Sequence, residues 1–198
     1  MKAFALAFAL LYSGIFAHAE DALMAGGRSP DGHYAVRIFH LKNADFLDYA
    51  IRICSEPRTK PLFTLPDIGG YLEYPGAIDD DCALWHASSQ FVAITDRGTR
   101  HSTELYILSV YEGGATRLEI PDYVQNALGR VNATCVDQIC STSLKRWDGD
   151  DLRVSLAFSA HQRRIYTCEV VLHVSHTGSN SPSVSLKSVS APAGGLGG

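Results

Sequence analysis

Apolar and polar residues alternate with a period of two through much of the chain. Tyr34, Val36 and Ile38 fall on one side of a run and Arg37 on the other. Leu152, Val154, Leu156 and Phe158 alternate in the same way with Arg153, Ser155 and Ser159. This pattern predicts strands with one face turned to a core. Turn-forming clusters separate the runs: Ser29-Pro30-Asp31-Gly32, Glu112-Gly113-Gly114 and Asp148-Gly149-Asp150-Asp151. Helical periodicity is weak everywhere; Val124 to Leu128 predicts one short helical turn. The expectation is an all-β chain.

The strands also repeat. SPDGHYAVRIF, DYAIRIC and PLFTLPD in a first copy answer to HASSQFVAITDRG, ELYILSV and TRLEIPDY in a second. A third copy holds WDGDDLRVSLAF, IYTCEVV and SVSLKSV. Tyr34 to Phe91 and Tyr49 to Tyr106 both span 57 residues, whereas Phe91 to Leu152 spans 61 and Tyr106 to Tyr166 spans 60. Two separate strands keeping one spacing twice argues for internal repetition. Trp85 and Trp147 each precede the turn that opens a copy's main hairpin. The copies run over about residues 28–70, 82–123 and 145–189, inside one domain of residues 20–189.

The order of aromatic, S-P-D-G-like turn, strand, hairpin and short final strand resembles the PD40-type repeat of TolB-like β-propellers. Ser29-Pro30-Asp31-Gly32-His33-Tyr34 carries the match best; Ala87-Ser88-Ser89-Gln90-Phe91 and Asp148-Gly149-Asp150-Asp151-Leu152 are degenerate versions. The resemblance spans roughly Arg28 to Val189. It implies four-stranded blades and a binding role, and no catalytic residues. Propellers usually have about four to eight blades. Three copies therefore predict a propeller-like array, an antiparallel sandwich or barrel built from the copies, or a homodimer in which two chains supply six blades.

The first nineteen residues read differently. Met1-Lys2 is a short positive start, Ala3 to Ala17 is apolar, and Ala17-His18-Ala19 fits an A-x-A cleavage site. The apolar run is shorter than the ~20 residues of a membrane-spanning helix. This is the pattern of a cleavable signal peptide cut after Ala19. Removing nineteen of 198 residues leaves 179, expected in the periplasm or outside the cell. No later segment is apolar enough to predict a transmembrane span, and the tail from residue 190 to 198, rich in Ala, Gly and Pro, is expected to be flexible.

Composition narrows the function. Charged residues make up 19% of the chain, and the formal net charge is −4. A mildly acidic chain lacks the basic face that nucleic-acid binding needs. Enzyme signatures such as G-x-S-x-G, H-E-x-x-H, a P-loop and G-x-G-x-x-G are missing from the sequence. Glu73 and Glu104 are carboxylates that a glycosidase would need to pair across a groove. The acidic stretches Asp79-Asp80-Asp81 and Asp148 to Asp151 lack calcium-loop spacing, and His173 and His176 fall on opposite faces of a strand. No cofactor or metal is expected.

Five cysteines in an oxidising compartment suggest two disulfides and one thiol. The repeat offsets put Ile51, Leu108 and Cys168 at one core position, so Cys168 is expected to act as a small hydrophobe. The other four admit three pairings; Cys54–Cys82 and Cys135–Cys140 are the expected ones. The hairpin tips carry Lys42-Asn43, then Arg97, Arg100 and His101, then His161, Arg163 and Arg164. On one rim, these arginines and histidines would suit carboxylate, phosphate or sulfate groups. The expected function is non-enzymatic binding of a protein or an anionic glycan or other envelope component. A small secreted polysaccharide hydrolase and an enzyme inhibitor are the alternatives.

Overall fold

The alternating runs become strands. A computed structural model of the chain describes residues 21–40, 49–65, 82–99, 102–131, 139–160, 164–175 and 181–196. The first copy holds β1 (Asp21–Arg28), β2 (Tyr34–His40), β3 (Tyr49–Ser55) and β4 (Lys60–Thr64). The second holds β5 (Cys82–Trp85), β6 (Phe91–Thr99), β7 (Ser102–Tyr111) and β8 (Gly114–Arg117). A helix, α1 (Tyr123–Val131), precedes the third copy, which holds β9 (Ile139–Asp148), β10 (Asp151–Ala160), β11 (Arg164–Ser175) and β12 (Ser183–Val189). A last strand, β13 (Ala193–Leu196), follows. The described residues are all-β apart from α1, as the alternation predicts.

Each copy is a four-stranded antiparallel meander in chain order. The meanders join through single parallel contacts, Ala25 beside Cys82 in β1 and β5 and Ser102 beside Cys140 in β7 and β9. The first copy forms a four-stranded sheet, and the second and third together make a nearly closed, barrel-like sheet of eight strands.

The first two copies match bond for bond at their opening turns. Ser29 N–H donates to the Tyr34 carbonyl at 3.0 Å, and His86 N–H, 57 residues on, donates to the Phe91 carbonyl at 2.9 Å. Gly32 N–H reaches the Ser29 carbonyl and Ser89 N–H the His86 carbonyl, both at 2.9 Å. The left-handed backbone recurs as well, with φ 75° at Gly32 and 61° at Ser89. Glycine takes that conformation freely, whereas a serine there is held by its surroundings.

Burial explains the composition of each copy. The middle copy is covered on both faces. Val92, Ile94, Tyr106, Leu108 and Val110 pack on Met24, Val36, Ile38, Ile51 and Ile53 of the first copy. Phe91, Ala93, Leu105 and Ile107 pack on Leu152, Val154, Leu156, Phe158, Val170 and Leu172 of the third. Strands buried on both faces read as continuous apolar runs, and FVAI and LYIL in β6 and β7 are such runs. The helix seals the second core with Tyr123, Ala127 and Leu128. It is longer than the single turn expected at Val124–Leu128.

The third copy keeps its alternation because its other face is polar. Arg153 pairs with Glu169 at 2.6 Å and also with Asp148, which Arg146 meets at 2.8 Å. Asp151 receives Lys187 at 2.5 Å and His173 at 2.8 Å. An ion-paired outer face is how a repeat array ends against water.

The tail carries a short strand. Ala193–Leu196 pair antiparallel with Arg164–Thr167 of β11, continuing along the edge that β12 occupies further on. A twelve-residue β11 outlasts β12 and offers backbone groups that the tail satisfies.

Candidate functional site

The two ends of the meanders differ in what they offer. At one end β2, β6 and β10 finish and β3, β7 and β11 begin. At the other lie the β1–β2, β5–β6 and β9–β10 turns, where side chains of successive copies interlock.

Two tryptophans make equivalent clamps at this turn end. The Trp85 indole N–H donates to the Gly27 carbonyl at 2.8 Å, and the Trp147 indole N–H donates to the Leu84 carbonyl at 3.0 Å. Gly27 and Leu84 are themselves 57 residues apart. Each tryptophan thus ties its copy to the first strand of the copy before. Tyr34 stacks on Trp85 with ring centroids 6.2 Å apart, and His86 stands edge-on to Trp147 at 5.2 Å.

The His86 imidazole is also engaged on both nitrogens. Nδ1 sits 2.7 Å from Ser88 Oγ and 3.2 Å from the Ser88 N–H, while Nε2 lies 3.0 Å from the Gly149 carbonyl. Asp150 Oδ1 is 3.7 Å from Nε2. Serine, histidine and aspartate are therefore neighbours, but their bonds fasten the turn. An Nδ1 that accepts the Ser88 N–H leaves its proton on Nε2, aimed at the Gly149 carbonyl of the third copy. Ser88 Oγ in turn accepts the Gln90 N–H at 3.2 Å. The arrangement ties copies together and holds Gln90 in place.

Beside the β1–β2 and β5–β6 turns lies an open groove of about 470 Å³. The first copy contributes Asp31 and Tyr34 to it. The second contributes Ser88, Gln90 and Phe91 from the β5–β6 turn and Ser109 to Glu112 from the end of β7. Pro182, just before β12, adds the third copy. Tyr111 is 53% exposed, one of two large hydrophobic side chains so exposed among the described residues. Its ring rests 3.0 Å from where a Cβ on Gly114 would stand, so the glycine lets the ring lie down on the turn.

The groove carries negative charge. Asp31 Oδ1 accepts the Ser29 hydroxyl at 2.7 Å and the His33 N–H at 3.0 Å. Burial works against ionisation here, but the His33 N–H and Ser29 hydroxyl outweigh it and hold the carboxyl below its ordinary range. The Asp31 N–H crosses to Ser89 Oγ of the second copy at 3.2 Å. Glu112, also in the lining, is exposed.

A second open groove, of about 570 Å³, follows β8 into α1. Leu105, Leu118, Ile120 and Tyr123 floor it, with Arg117, Glu119 and Asp122 at its rim. It belongs to the second copy and its connection to the third.

The arginine rim expected from the sequence lies outside the described residues. Arg97 lies in β6 and Arg164 opens β11, but their side chains, and all of Arg100, His101, His161 and Arg163, lie outside the described residues. Phe91 at the groove and Arg97 are six residues apart on β6, about 20 Å of strand. What is described at the tip end is a seam. Tyr49 of the first copy donates its hydroxyl to Asp96 Oδ1, and Asp96 is only 1% exposed. Glu104, opposite Asp96 across β6 and β7, accepts the Tyr106 hydroxyl at 2.6 Å. Burial, and then the bond to Glu104, push the Tyr106 phenol well above its usual value. Glu73 and Asp79 to Asp81 lie outside the described residues. Asp148 and Asp151 are bound by the cations of their own copy. Among the described residues, no three of His, Cys, Asp and Glu group as metal ligands.

The cysteine assignment needs correction. Cys54 and Cys82 are both free thiols. Three strand spacings separate β3 from β5 along the order β5–β1–β2–β3, about 14 Å, whereas a disulfide needs Cα atoms within about 7 Å. Cys82 Sγ instead stands 3.3 Å from Thr95 Oγ1. Cys135 and the side chain of Cys140 lie outside the described residues. Cys168 is free, 2% exposed and set among the apolar residues between the second and third copies.

No protein-family profile, curated protein sequence or solved structure matches the chain. Among the described residues, no helix is long and apolar enough to cross a membrane.

Sequence reasoning passed over the groove. Its residues sit at positions 31, 34, 90, 111 and 182, and only the stacking of the copies brings them together. The local signal was Tyr111, an aromatic beside the Glu112-Gly113-Gly114 turn.

Proposed function

We propose that this chain is an exported, non-enzymatic binding protein, and that a partner protein docks at the turn end of its three stacked copies. The observation that carries this reading is the groove to which all three copies contribute, with an exposed tyrosine and hydrogen-bonding side chains on turns. Clefts where repeats or domains meet are the usual places for ligands, and loops held by a rigid scaffold carry binding residues. The clamps from Trp85 and Trp147 and the matching turns of the first two copies support reading the copies as one repeated, propeller-like meander, the second and third of which close into a barrel-like sheet. The ion-paired outer face of the third copy supports a capped array over a six-blade ring shared by two chains. The N-terminal leader pattern supports export.

Binding from envelope extract distinguishes this groove from the arginine rim. The pair Gln90→Ala and Tyr111→Ala should abolish recovery of the partner. Replacing Arg97, Arg100, Arg163 and Arg164 together with serine should leave it. The opposite result assigns binding to the tips, and an effect of neither set removes both readings.

A further inference from the structure

We infer that the groove at the turn end takes a cationic side chain, an arginine or lysine on an extended segment of the partner protein. This rests on the reading of the groove as the partner site and adds the chemistry it selects. Asp31 and Glu112 bring two carboxylates to the lining, and among the described residues no lysine or arginine lines it. The Asp31 carboxylate is fixed in place by the Ser29 hydroxyl and the His33 N–H, and the Asp31 N–H is tied to Ser89 of the next copy. A charge held still on a turn is prepared for a partner without further ordering. Tyr34 and Tyr111 provide the aromatic faces, and Tyr34 is itself braced by Trp85. A guanidinium can lie over a tyrosine ring while it donates in the plane to a carboxylate, so this combination favours arginine over lysine. Gln90, Ser88 and Ser109 add groups that can bond a peptide backbone. The groove is open and holds about 470 Å³, enough for one long side chain and its neighbours.

A neutral glycan also uses tyrosines, amides and carboxylates, and it is the competing ligand that the test must separate. The experiment is calorimetric titration of the full mature chain with three probes: a Ser-Arg-Ser-Arg-Ser peptide, the same peptide with glutamine in place of arginine, and a neutral β-linked oligosaccharide. The expected result is binding of the arginine peptide alone, weakened about fivefold by Glu112→Gln and again by Tyr111→Ala, and weakened by added salt. Both positions are exposed, Tyr111 at the end of β7 and Glu112 on the turn after it, and unchanged thermal unfolding of each variant verifies that the fold is kept. Equal binding of the arginine and glutamine peptides overturns the inference. Binding of the oligosaccharide instead, with the same sensitivity to Tyr111→Ala, overturns it too but leaves the groove as a binding site. Silence of all three probes, with partner recovery from extract still lost in the Gln90→Ala and Tyr111→Ala pair, removes the cation and keeps the groove. If that recovery is also unaffected, both fall.

Discussion

The Trp85 indole N–H donates to the Gly27 carbonyl at 2.8 Å, across the boundary between the first and second copies. Trp147 makes the counterpart bond to Leu84, at the boundary between the second and third. Trp85 is 8% exposed and its bond is buried, whereas the Trp147 bond is part-buried. Trp85→Phe keeps most of the apolar area but strands a buried carbonyl, so it should cost about 1–3 kcal/mol in urea unfolding. Trp147→Phe lets water replace the lost donor and should cost ~1 kcal/mol or less. Equal effects would mean that the two clamps are not graded by burial.

The junction of β1 with β5 has its own test. Gly26 has φ 68°, and a Cβ there would stand 2.2 Å from the Ala83 carbonyl oxygen. Gly32 has a similar φ of 75° with open space around it. Gly26→Ala should therefore destabilise the chain by more than about 2 kcal/mol, since strain adds to a clash with backbone. Gly32→Ala carries the backbone strain alone, ~1 kcal/mol. Thermal unfolding of the two variants side by side measures the difference.

Asp151 gives a pH dependence with a definite sign. The Lys187 ammonium, and then the His173 imidazole, hold its carboxyl below the ordinary value of 3.8. A carboxyl that ionises more easily when folded adds stability above its unfolded value and loses it as pH falls through its folded value. The bridge is near solvent, so Asp151→Asn should cost under about 1 kcal/mol at pH 7. The gap between the variant and the parent should close as pH falls through and below the ordinary carboxylate range. A gap that widens in acid would contradict the pairing.

The thiols should separate by exposure. Burial, with Asp21 adding to it, pushes the Cys54 thiol up to about 11, and burial raises the Cys168 thiol. Both are buried, whereas Cys82 is half-buried. Brief alkylation at pH 8, mapped by mass spectrometry, should label Cys82 ahead of Cys54 and Cys168, which should react only in denaturant. A Cys54–Cys82 crosslinked peptide in the unreduced digest would contradict the free thiols.

Much of the fold was legible because repetition and alternation are both local signals. The 57-residue offset linking Tyr34 with Phe91 also links the Ser29 and His86 turns, and the tryptophan before each later turn marks the inter-copy clamps. The opening strand was less legible. β1 reads DALMAGGR, with two adjacent glycines breaking the alternation, and its contact partner Cys82 lies 57 residues from Ala25. The β13 pairing was hidden for a similar reason. AGGL has no strand pattern and depends on the free length of β11. Cysteine spacing misled because β3 and β5 are separated by two strands that precede them in the chain. The groove was invisible because no window of sequence contains it.

The central claim is that partners dock beside the turns, and a photo-crosslinking residue in place of Gln90 tests it most directly. Irradiation in envelope extract should yield one discrete adduct, competed by unlabelled chain and absent from the same probe at Ser155 on the outer face of the third copy. Adducts that form only from probes at Arg100 or Arg163, with none from Gln90, would contradict it.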